Sequence, residues 1–346
     1  MMKVVPLTKD REHVWDGFVS RHPRANMYHL MGWKTVFESV FGYSSYYLMA
    51  ENSEGQVTGM LPMFLMTDIF RRRYLISNPF SNFAGICSDN QEAEDELLQA
   101  AQNLAHELNV RYVEFRQMKH KLNGGLSTKE SFVTLMLELP QNAEVSWKAI
   151  SSRNRNKIRK AEKNGLQTDF GMQHLQSFYK LYAKNMKFLG TPVFPYAMFE
   201  QVAQVFDKQT ELLVLKLNGE PVAGMFMFKF KDTISEPWVA SLRAYNKIYV
   251  NNLLYWQAIS YACSRGFKRF DFGRSTKDSG THRFKQQWGA EPIQLHYQYY
   301  LNQAREIPAV DANNNKYQKI VDVWKRLPLT VTNFVGPKVV QFLPEL

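Results

Sequence analysis

The chain has 346 residues, of which 45% are hydrophobic and 22% charged, a composition that excludes a low-complexity protein and leaves room for two domains. Its net charge of +11 is uneven: 15 basic and 17 acidic residues precede position 151, whereas 28 basic and 15 acidic residues follow. The basic second half favours an anionic partner, such as nucleic acid, a nucleotide, phosphate or anionic lipid.

The amino terminus and the cysteines predict where the protein works. Residues 1–15 contain no long apolar core, so we do not expect a secretory signal. No run of about 18 apolar residues predicts a transmembrane helix. Cys87 and Cys263 are expected to be buried free thiols, and the eight histidines show no metal-ligand spacing, so no metal is predicted. We expect a cytoplasmic protein, with the inner face of the membrane as a second location.

Two halves of the chain share a pattern. Residues 47–64 and 212–228 both read as strand, polar turn and strand, and residues 97–116 and 254–274 both read as an amphipathic helix followed by a strand with one acidic residue. Aligning Ala105 with Ala262 pairs Glu114 with Asp271. The pattern predicts two copies of a helix–strand–strand–helix–strand unit, although α/β proteins also repeat such patterns by chance.

A strongly basic helix is predicted at residues 151–165. Ser151 or Ser152 fits an N-cap, and Gly165 fits the end of the helix. The six cations face one acidic residue, which favours an anion-binding helix that approaches the phosphates of a nucleotide or of RNA. A soluble surface helix is the alternative. The residues predicted to bind anions or RNA are Arg153, Arg155, Asn156, Arg159 and Lys160.

Farther along, residues 238–243 read as a strand, and a helix is predicted to begin near Asn251. A helix N-terminus can bind an anion with its free backbone amides. The residues of this region predicted to bind substrate are Trp238, Ser241, Arg243, Tyr245, Asn251 and Asn252.

The most informative stretch is FDFGRSTKDSGTHRFKQQWGAEP, at residues 270–292. A short strand leads into a loop rich in small, polar and charged residues, and such loops often carry the chemistry of α/β proteins. Acyl transfer to an amine needs a group that takes the proton of the amine and donors for the oxyanion. The predicted catalytic residues are Lys285, Asp271 and His282, and Arg274, Ser275 and Trp288 are predicted to bind substrate.

The 270–292 stretch and the run from Arg155 to Gly165 resemble the FemABX-like branch of the GNAT acyltransferase superfamily. They are especially similar to FemAB-related proteins associated with exosortase (PEP-CTERM) and exopolysaccharide systems. The resemblance implies an α/β (α+β) fold with a tandem duplication of a GNAT-like domain, in which mixed, mostly antiparallel sheets are flanked by helices. The expected domains are residues 1–145, residues 146–303 with the active site, and a helical tail at 304–346.

The candidate residues have expected roles, of which that of Lys285 is implied by the resemblance and the others by their residue types. Lys285 matches the lysine of a Phe-Lys motif and would contact the aminoacyl-tRNA end or stabilise the oxyanion. Asp271 would position or deprotonate the amine, or it pairs with Arg274. Arg274 and Ser275 would hold a phosphate or carboxylate. His282 is a base or a polar surface residue.

The implied activity is transfer of an aminoacyl or acyl group to an amine of a cell-envelope or exopolysaccharide precursor, a saccharide or a peptide. The donor is aminoacyl-tRNA or acyl-CoA, and no tightly bound cofactor is expected. Residues 246–252 lack the glycines with which GNAT enzymes bind the pyrophosphate of coenzyme A, which favours tRNA. Two other functions stay open: a non-catalytic module that binds an anionic saccharide, and a plain RNA-binding protein.

The last segment, residues 317–346, interleaves apolar and cationic residues and contains three prolines. This pattern favours two helices that pack on the rest of the chain or on a protein partner. Peripheral contact with a membrane is the alternative.

Overall fold

The computed structural model describes residues 2–307 and 315–344, which divide into two compact units. The first unit contains the described residues up to Val133, together with 293–307 and 341–344, and the second contains Thr134–Pro292 and 315–340. This division falls at residue 133 rather than at the boundary near 145 expected from the sequence. Residues 308–314 of the predicted tail, like Met1 and residues 345–346, lie outside the described residues.

Short runs of strands are interspersed with helices along the described residues, as the mixed fold class requires. The strands are β1 (Lys3–Pro6), β2 (Ser44–Glu51), β3 (Val57–Thr67), β4 (Arg73–Ile76), β5 (Cys87–Ser88), β6 (Tyr112–Met118), β7 (Ser127–Lys129), β8 (Phe132–Glu138), β9 (Gln167–Phe170), β10 (Thr210–Leu217), β11 (Glu220–Phe230), β12 (Thr233–Ser241), β13 (Arg269–Thr276) and β14 (Glu291–Leu301). The helices are α1 (Glu12–Arg21), α2 (Gly32–Phe41), α3 (Gln91–Glu107), α4 (Ala143–Ala149), α5 (Ser152–Lys163), α6 (Leu175–Leu189), α7 (Tyr196–Val205), α8 (Val250–Ser264), α9 (Gly280–Gln286), α10 (Asn315–Arg326) and α11 (Leu329–Val340).

The two units repeat one arrangement. In the first, the strand order is β1-β2-β3-β4-β6-β14, and in the second it is β9-β10-β11-β12-β13-β8. The β1–β2, β2–β3 and β3–β4 pairs are antiparallel and β4 runs parallel to β6; likewise β9–β10, β10–β11 and β11–β12 are antiparallel and β12 runs parallel to β13. The predicted tandem duplication and the mostly antiparallel sheets are therefore confirmed.

The last strand of each sheet comes from the other half of the sequence. Strand β14 follows the second repeat along the chain but pairs with β6 in the first unit, Tyr299 lying opposite Glu114. Strand β8 follows the first repeat and pairs with β13. This exchange explains why the first unit regains residues after 292.

The core of the second unit is built around strand β11. Residues Val222 to Phe228 of β11 are all buried, so both faces of this strand are covered. Phe226 packs against Phe178 of α6 and Phe199 of α7. Gly224 lies beneath the same helix, and a Cβ added there would lie 2.7 Å from the Phe178 ring. A side chain at this position would thus force α6 away from the sheet.

The last two helices belong to the second unit and pack on α6. Val321 of α10 lies against Gly190, where an added Cβ would come within 2.5 Å of its methyl group. In α11, Gly336 lies against Val193. The predicted helical pair is present, although it is not a separate tail. Among the described residues, no helix combines the length and apolarity needed to cross a bilayer.

Candidate active site

Strands β12 and β13 separate in the middle of the second sheet. They pair only where Thr233 to Ser235 face Arg269 to Asp271, although β12 continues to Ser241 and β13 to Thr276. A β-bulge begins at the same place, because Glu236 and Pro237 together lie opposite one residue of β11, Met227. Bulges bend a strand and redirect its side chains, often beside active sites. The separation opens the sheet at Glu236.

Glu236 is buried and held by one hydrogen bond. Its side chain is 6% exposed, and the hydroxyl of Tyr255 on α8 donates to its Oε1 at 3.1 Å. The Tyr255 ring is fixed by contacts with the rings of Phe272, Phe284 and Trp288. Burial raises the pKa of Glu236 to about 8, against the opposing influence of Lys285 and of the Tyr255 hydrogen bond. Near neutral pH this carboxyl can therefore both hold and release a proton, as a general base requires.

Lys285 lies on the same side of α9 as His282 and is almost fully buried. Its Nζ donates to the carbonyl oxygens of Gly273 at 3.0 Å and Arg274 at 3.2 Å. Burial lowers the pKa of Lys285, whereas Glu236 and Asp271 act in the opposite direction. An ammonium group has three N–H donors, so two backbone acceptors leave one for a further group.

Asp271 is held from two sides. Its Oδ1 accepts from the hydroxyl of Thr134 at 2.5 Å and from the backbone N–H of Gly273 at 2.9 Å. Gly273 has φ +68°, a conformation that favours glycine. Burial raises the pKa of Asp271, while these hydrogen bonds and Lys285 lower it. The carboxyl thus fixes the turn whose carbonyl binds Lys285.

The first unit lacks this arrangement at its equivalent strand end. There Glu114 forms a buried ion pair with Arg116, from Nε to Oε1 at 2.7 Å. In the second unit, Gly273 occupies the position equivalent to Arg116. In the first unit, Ser77, which follows β4, occupies the position equivalent to Glu236. In the first unit, the cation Arg116 therefore belongs to the strand itself and pairs with an acidic residue of the same strand. In the second unit, the cation Lys285 comes from a separate helix.

Four buried donor groups on α8, β13, α9 and the turn after α9 have no hydrogen-bond partner among the described residues. They are Asn252 Nδ2, Ser275 Oγ, His282 Nε2 and Trp288 Nε1. Buried polar groups are nearly always paired, so these four groups are candidates to donate to a substrate. All four residues were predicted site residues. A substrate that carries carbonyl or phosphate oxygens fits this set.

His282 does not have the geometry of the predicted base. The backbone N–H of Asp278 donates to its Nδ1 at 2.9 Å. A neutral imidazole that accepts at Nδ1 carries its proton on Nε2, so the buried Nε2 is a donor. His282 is thus better suited to bind an oxygen of the substrate than to take a proton.

The remaining predicted substrate-binding residues lie between the end of β12 and the start of α8. Helix α8 begins at Val250, close to the predicted start, after Tyr249 with φ +61° and without a side-chain cap. Ser241 ends β12, and Tyr245 and Asn251 are partly exposed near the start of α8. Arg243 is exposed and lies over the Phe188 ring at 3.6 Å.

Trp238 needs a correction. Its ring is buried against Phe199, Phe226 and Phe228. It lies two residues beyond Glu236 on the same strand, but the bulge separates them, and the indole packs in the core under α7. The substrate-binding role predicted for Trp238 is therefore not supported.

The basic helix forms as predicted but uses one of its cations internally. The Ser151 hydroxyl accepts from the Asn154 N–H at 3.2 Å as N-cap, and Gly165 follows with φ +80°. Arg155 Nη1 lies 3.2, 3.0 and 2.6 Å from the carbonyl oxygens of Trp147, Lys148 and Ile150, at the end of α4. Arg155 therefore holds α4 against α5, which corrects its predicted anion-binding role.

The other predicted cations of α5 remain at the surface. Arg159 lies over the Trp147 ring at 5.5 Å and is exposed. Arg153, Asn156 and Lys160 are also exposed, so their binding of anions stays a prediction. Asn154, which the sequence did not single out, is buried and donates to the Gln287 carbonyl at 3.0 Å, joining α5 to the end of α9.

Replacing Arg155 with alanine is expected to lower the free energy of unfolding by about 1–3 kcal/mol, because it removes a charged donor from the carbonyl end of α4. Urea unfolding of the full chain measures this change. Lys160→Ala, on the exposed side of the same helix, is the matched control and should change stability by no more than about 0.5 kcal/mol. Equal stabilities of the two variants would show that the Arg155 contacts contribute nothing.

Comparisons with known proteins show which family and folds the chain resembles. Residues 151–286 match the model of a family described as an acetyltransferase (GNAT) domain. No curated protein matches the chain. The structure is similar to the crystal structure of FemX, with a TM-score of 0.66 and 16% identity over 87% of this chain and 98% of the other.

Two further structures share the fold. One is the C-terminal domain of a putative lysylphosphatidylglycerol synthetase from Agrobacterium fabrum, with a TM-score of 0.56 and 12% identity over 83% of this chain and 91% of that one. The other is a tandem GNAT protein from the clavulanic acid biosynthesis pathway, with a TM-score of 0.54 and 9% identity over 87% and 98%. Residues 151–286 of the second unit, which include the open sheet at Glu236, are thus similar to a GNAT acetyltransferase domain, and the chain has a FemABX-like tandem GNAT fold.

Proposed function

We propose that this GNAT-type acyltransferase moves an aminoacyl group from aminoacyl-tRNA to an amine of a cell-envelope precursor, with the reaction in the second unit. The observation that carries the proposal is the buried Glu236–Tyr255 pair beside Lys285, at the point where β12 and β13 separate. Buried groups with opposed pKa shifts in an opened sheet are typical of acid–base sites.

The chemistry follows from these groups. The amine nitrogen attacks the carbonyl carbon of the donor, forming a C–N bond, and the amine proton passes to Glu236. The oxyanion receives the third N–H of Lys285 and the unpaired donors of this region. The C–O bond to the tRNA then breaks, and the leaving oxygen takes the proton that Glu236 received from the amine. Asp271 positions Lys285 through the Gly273 turn.

Charge and relatives support the donor. The basic residues concentrate after position 150, as contact with RNA phosphates requires. A structural neighbour is named for lysylphosphatidylglycerol, an aminoacylated envelope lipid. The FemABX resemblance implies the same donor. The acceptor class, an amino sugar or an amino group of a peptide, follows from that resemblance.

A second candidate is an acyl-CoA donor. Helix α8 starts without a side-chain cap, so no side chain competes with a pyrophosphate at its N-terminus, and the matching family is described as an acetyltransferase. The two donors differ in whether RNA is needed.

The deciding experiment supplies labelled aminoacyl-tRNA and labelled acetyl-CoA side by side to the full chain, with a panel of amino sugars and short peptides as acceptors. We expect label on an amine from aminoacyl-tRNA, and transfer at least about 100-fold slower with the Glu236→Gln variant. Transfer from acetyl-CoA alone would establish the second candidate. Release or transfer from neither donor, with saccharide binding intact, would establish a binding module instead.

A further inference from the structure

A basic and apolar surface lies where the end of α6 meets α10 and the start of α11. A cavity of about 430 Å³ opens here, lined by Lys184, Lys187, Phe188, Lys325 and Leu329. Three lysines and two apolar side chains form its wall, without an acidic residue. We call this region the α6/α10/α11 surface.

Large apolar side chains are exposed on the three helices that contribute residues to the cavity. Ile320 and Val323 of α10 are 67% and 60% exposed and, three residues apart, share one side of the helix. Phe334 of α11 is 66% exposed, and Leu189 at the end of α6 is 48% exposed. Single exposed apolar residues are common, but a group on three adjoining helices marks an interaction surface.

Cations accompany these apolar groups. Lys338 Nζ lies 3.8 Å from the Phe334 ring centroid. Lys319, Lys325 and Arg326 on α10 are exposed, with Asp322 as the acidic residue of the same exposed stretch. The charge of the surface is therefore positive, and its complement is anionic.

The helices are held firmly enough to present these side chains. Lys187 Nζ donates to the carbonyl oxygen of Lys325 at 3.1 Å, at the end of α10. The close packing at Gly190 and Gly336 leaves no room for a side chain between the helices and the rest of the unit.

We propose that the α6/α10/α11 surface docks on a bilayer of anionic phospholipid. Lysines of the cavity would bind headgroup phosphates, while Ile320, Val323 and Phe334 would enter the interfacial region. Interleaved cationic and apolar side chains on short helices are what an interfacial membrane contact requires. The inference stands independently of the proposed function.

The test is flotation of the full chain with vesicles of phosphatidylcholine alone and of phosphatidylcholine mixed with phosphatidylglycerol. We expect binding to the mixed vesicles, and roughly 25-fold weaker binding for Lys184→Gln/Lys325→Gln, because each lysine near an anionic surface contributes about fivefold. Lys9→Gln/Lys208→Gln removes two exposed lysines elsewhere and should bind as the wild type does. Val323→Ser/Phe334→Ser should also bind more weakly, since it removes the apolar part.

Three results would overturn the proposal. The first is equal binding of the cavity and control variants. The second is binding of inorganic phosphate, observed as a rise in Tm that needs Lys184 and Lys325, without any vesicle binding. The third is a wild-type dimer without vesicle binding that becomes a monomer in Val323→Ser/Phe334→Ser, which would assign the surface to a second copy of the chain.

Discussion

Replacing Glu236 with glutamine is expected to lower the rate of acyl transfer by about 10²–10⁴-fold, because the amine loses the group that takes its proton. Glutamine keeps the size of the side chain and still accepts from the Tyr255 hydroxyl, so the packing around residue 236 is preserved. The measurement is the rate of transfer from the active donor at saturating acceptor, across a pH series.

The pH profile separates this role from a structural one. With a pKa of about 8, Glu236 is mainly protonated at neutral pH, so the wild-type rate should rise with pH through this value. The rising limb should vanish in Glu236→Gln. A variant that keeps both the limb and more than a tenth of the activity would remove Glu236 from the mechanism.

Stability should change in the opposite direction from activity. The pKa of Glu236 is raised from 4.5 to about 8, so the folded chain binds this proton more tightly than the unfolded chain does. The wild type therefore loses stability as pH rises from 4.5 to about 8, by up to about 5 kcal/mol. Glu236→Gln avoids this loss and should be the more stable protein above pH 8. Urea unfolding at both ends of the range measures the difference and shows that lost activity is not lost folding.

Replacing Lys285 with methionine is expected to reduce activity by about 10²–10³-fold, because the oxyanion loses a preorganised charged donor. The substitution keeps a long, unbranched side chain but leaves the carbonyls of Gly273 and Arg274 without their donor. It also removes the cation that holds down the pKa of Glu236. The rising limb of the pH profile should therefore move to higher pH.

Lys277→Met is the matched control, since Lys277 is exposed in the loop between β13 and α9. Its rate and pH profile should equal those of the wild type. Circular dichroism and urea unfolding check that both variants fold. An unshifted profile in Lys285→Met, with a rate within twofold of the control, would show that Lys285 only supports the loop.

The fold could be predicted because its signals are local. Amphipathic helices, short strands with one acidic residue and polar turns recur in the same order in both halves, and that order alone indicates a duplication. Buried Cys87 and Cys263, the cap at Ser151 and the start of α8 are also local, and the structure confirms them.

Glu236 was not predicted as a site residue, because its burial depends on residues that are distant in the sequence. In the sequence Ser235-Glu236-Pro237, a glutamate before proline reads as the solvent-facing end of a strand. Its burial depends on Tyr255 from α8 and on the bulge against β11, neither of which is visible in the neighbouring residues. Trp238 was misjudged for the same reason, since side-chain direction after a bulge no longer follows simple alternation.

Other roles were confused because long side chains have several possible partners. Arg155 fits the basic motif, yet its guanidinium reaches back to the end of α4, whereas exposed Lys160 does not. The sequence shows the charge of a helix but not which of its charged side chains bind backbone carbonyl groups.

The exchanged strands set the order in which the molecule can be completed during synthesis. Strand β6 acquires its partner β14 only after residue 301 has left the ribosome, so the sheet of the first unit keeps an unpaired edge while the whole second repeat is made. Such an edge is prone to pairing with other chains. Pairing between strands so distant in sequence also slows folding. The two repeats, although each resembles an independent domain, must therefore mature together.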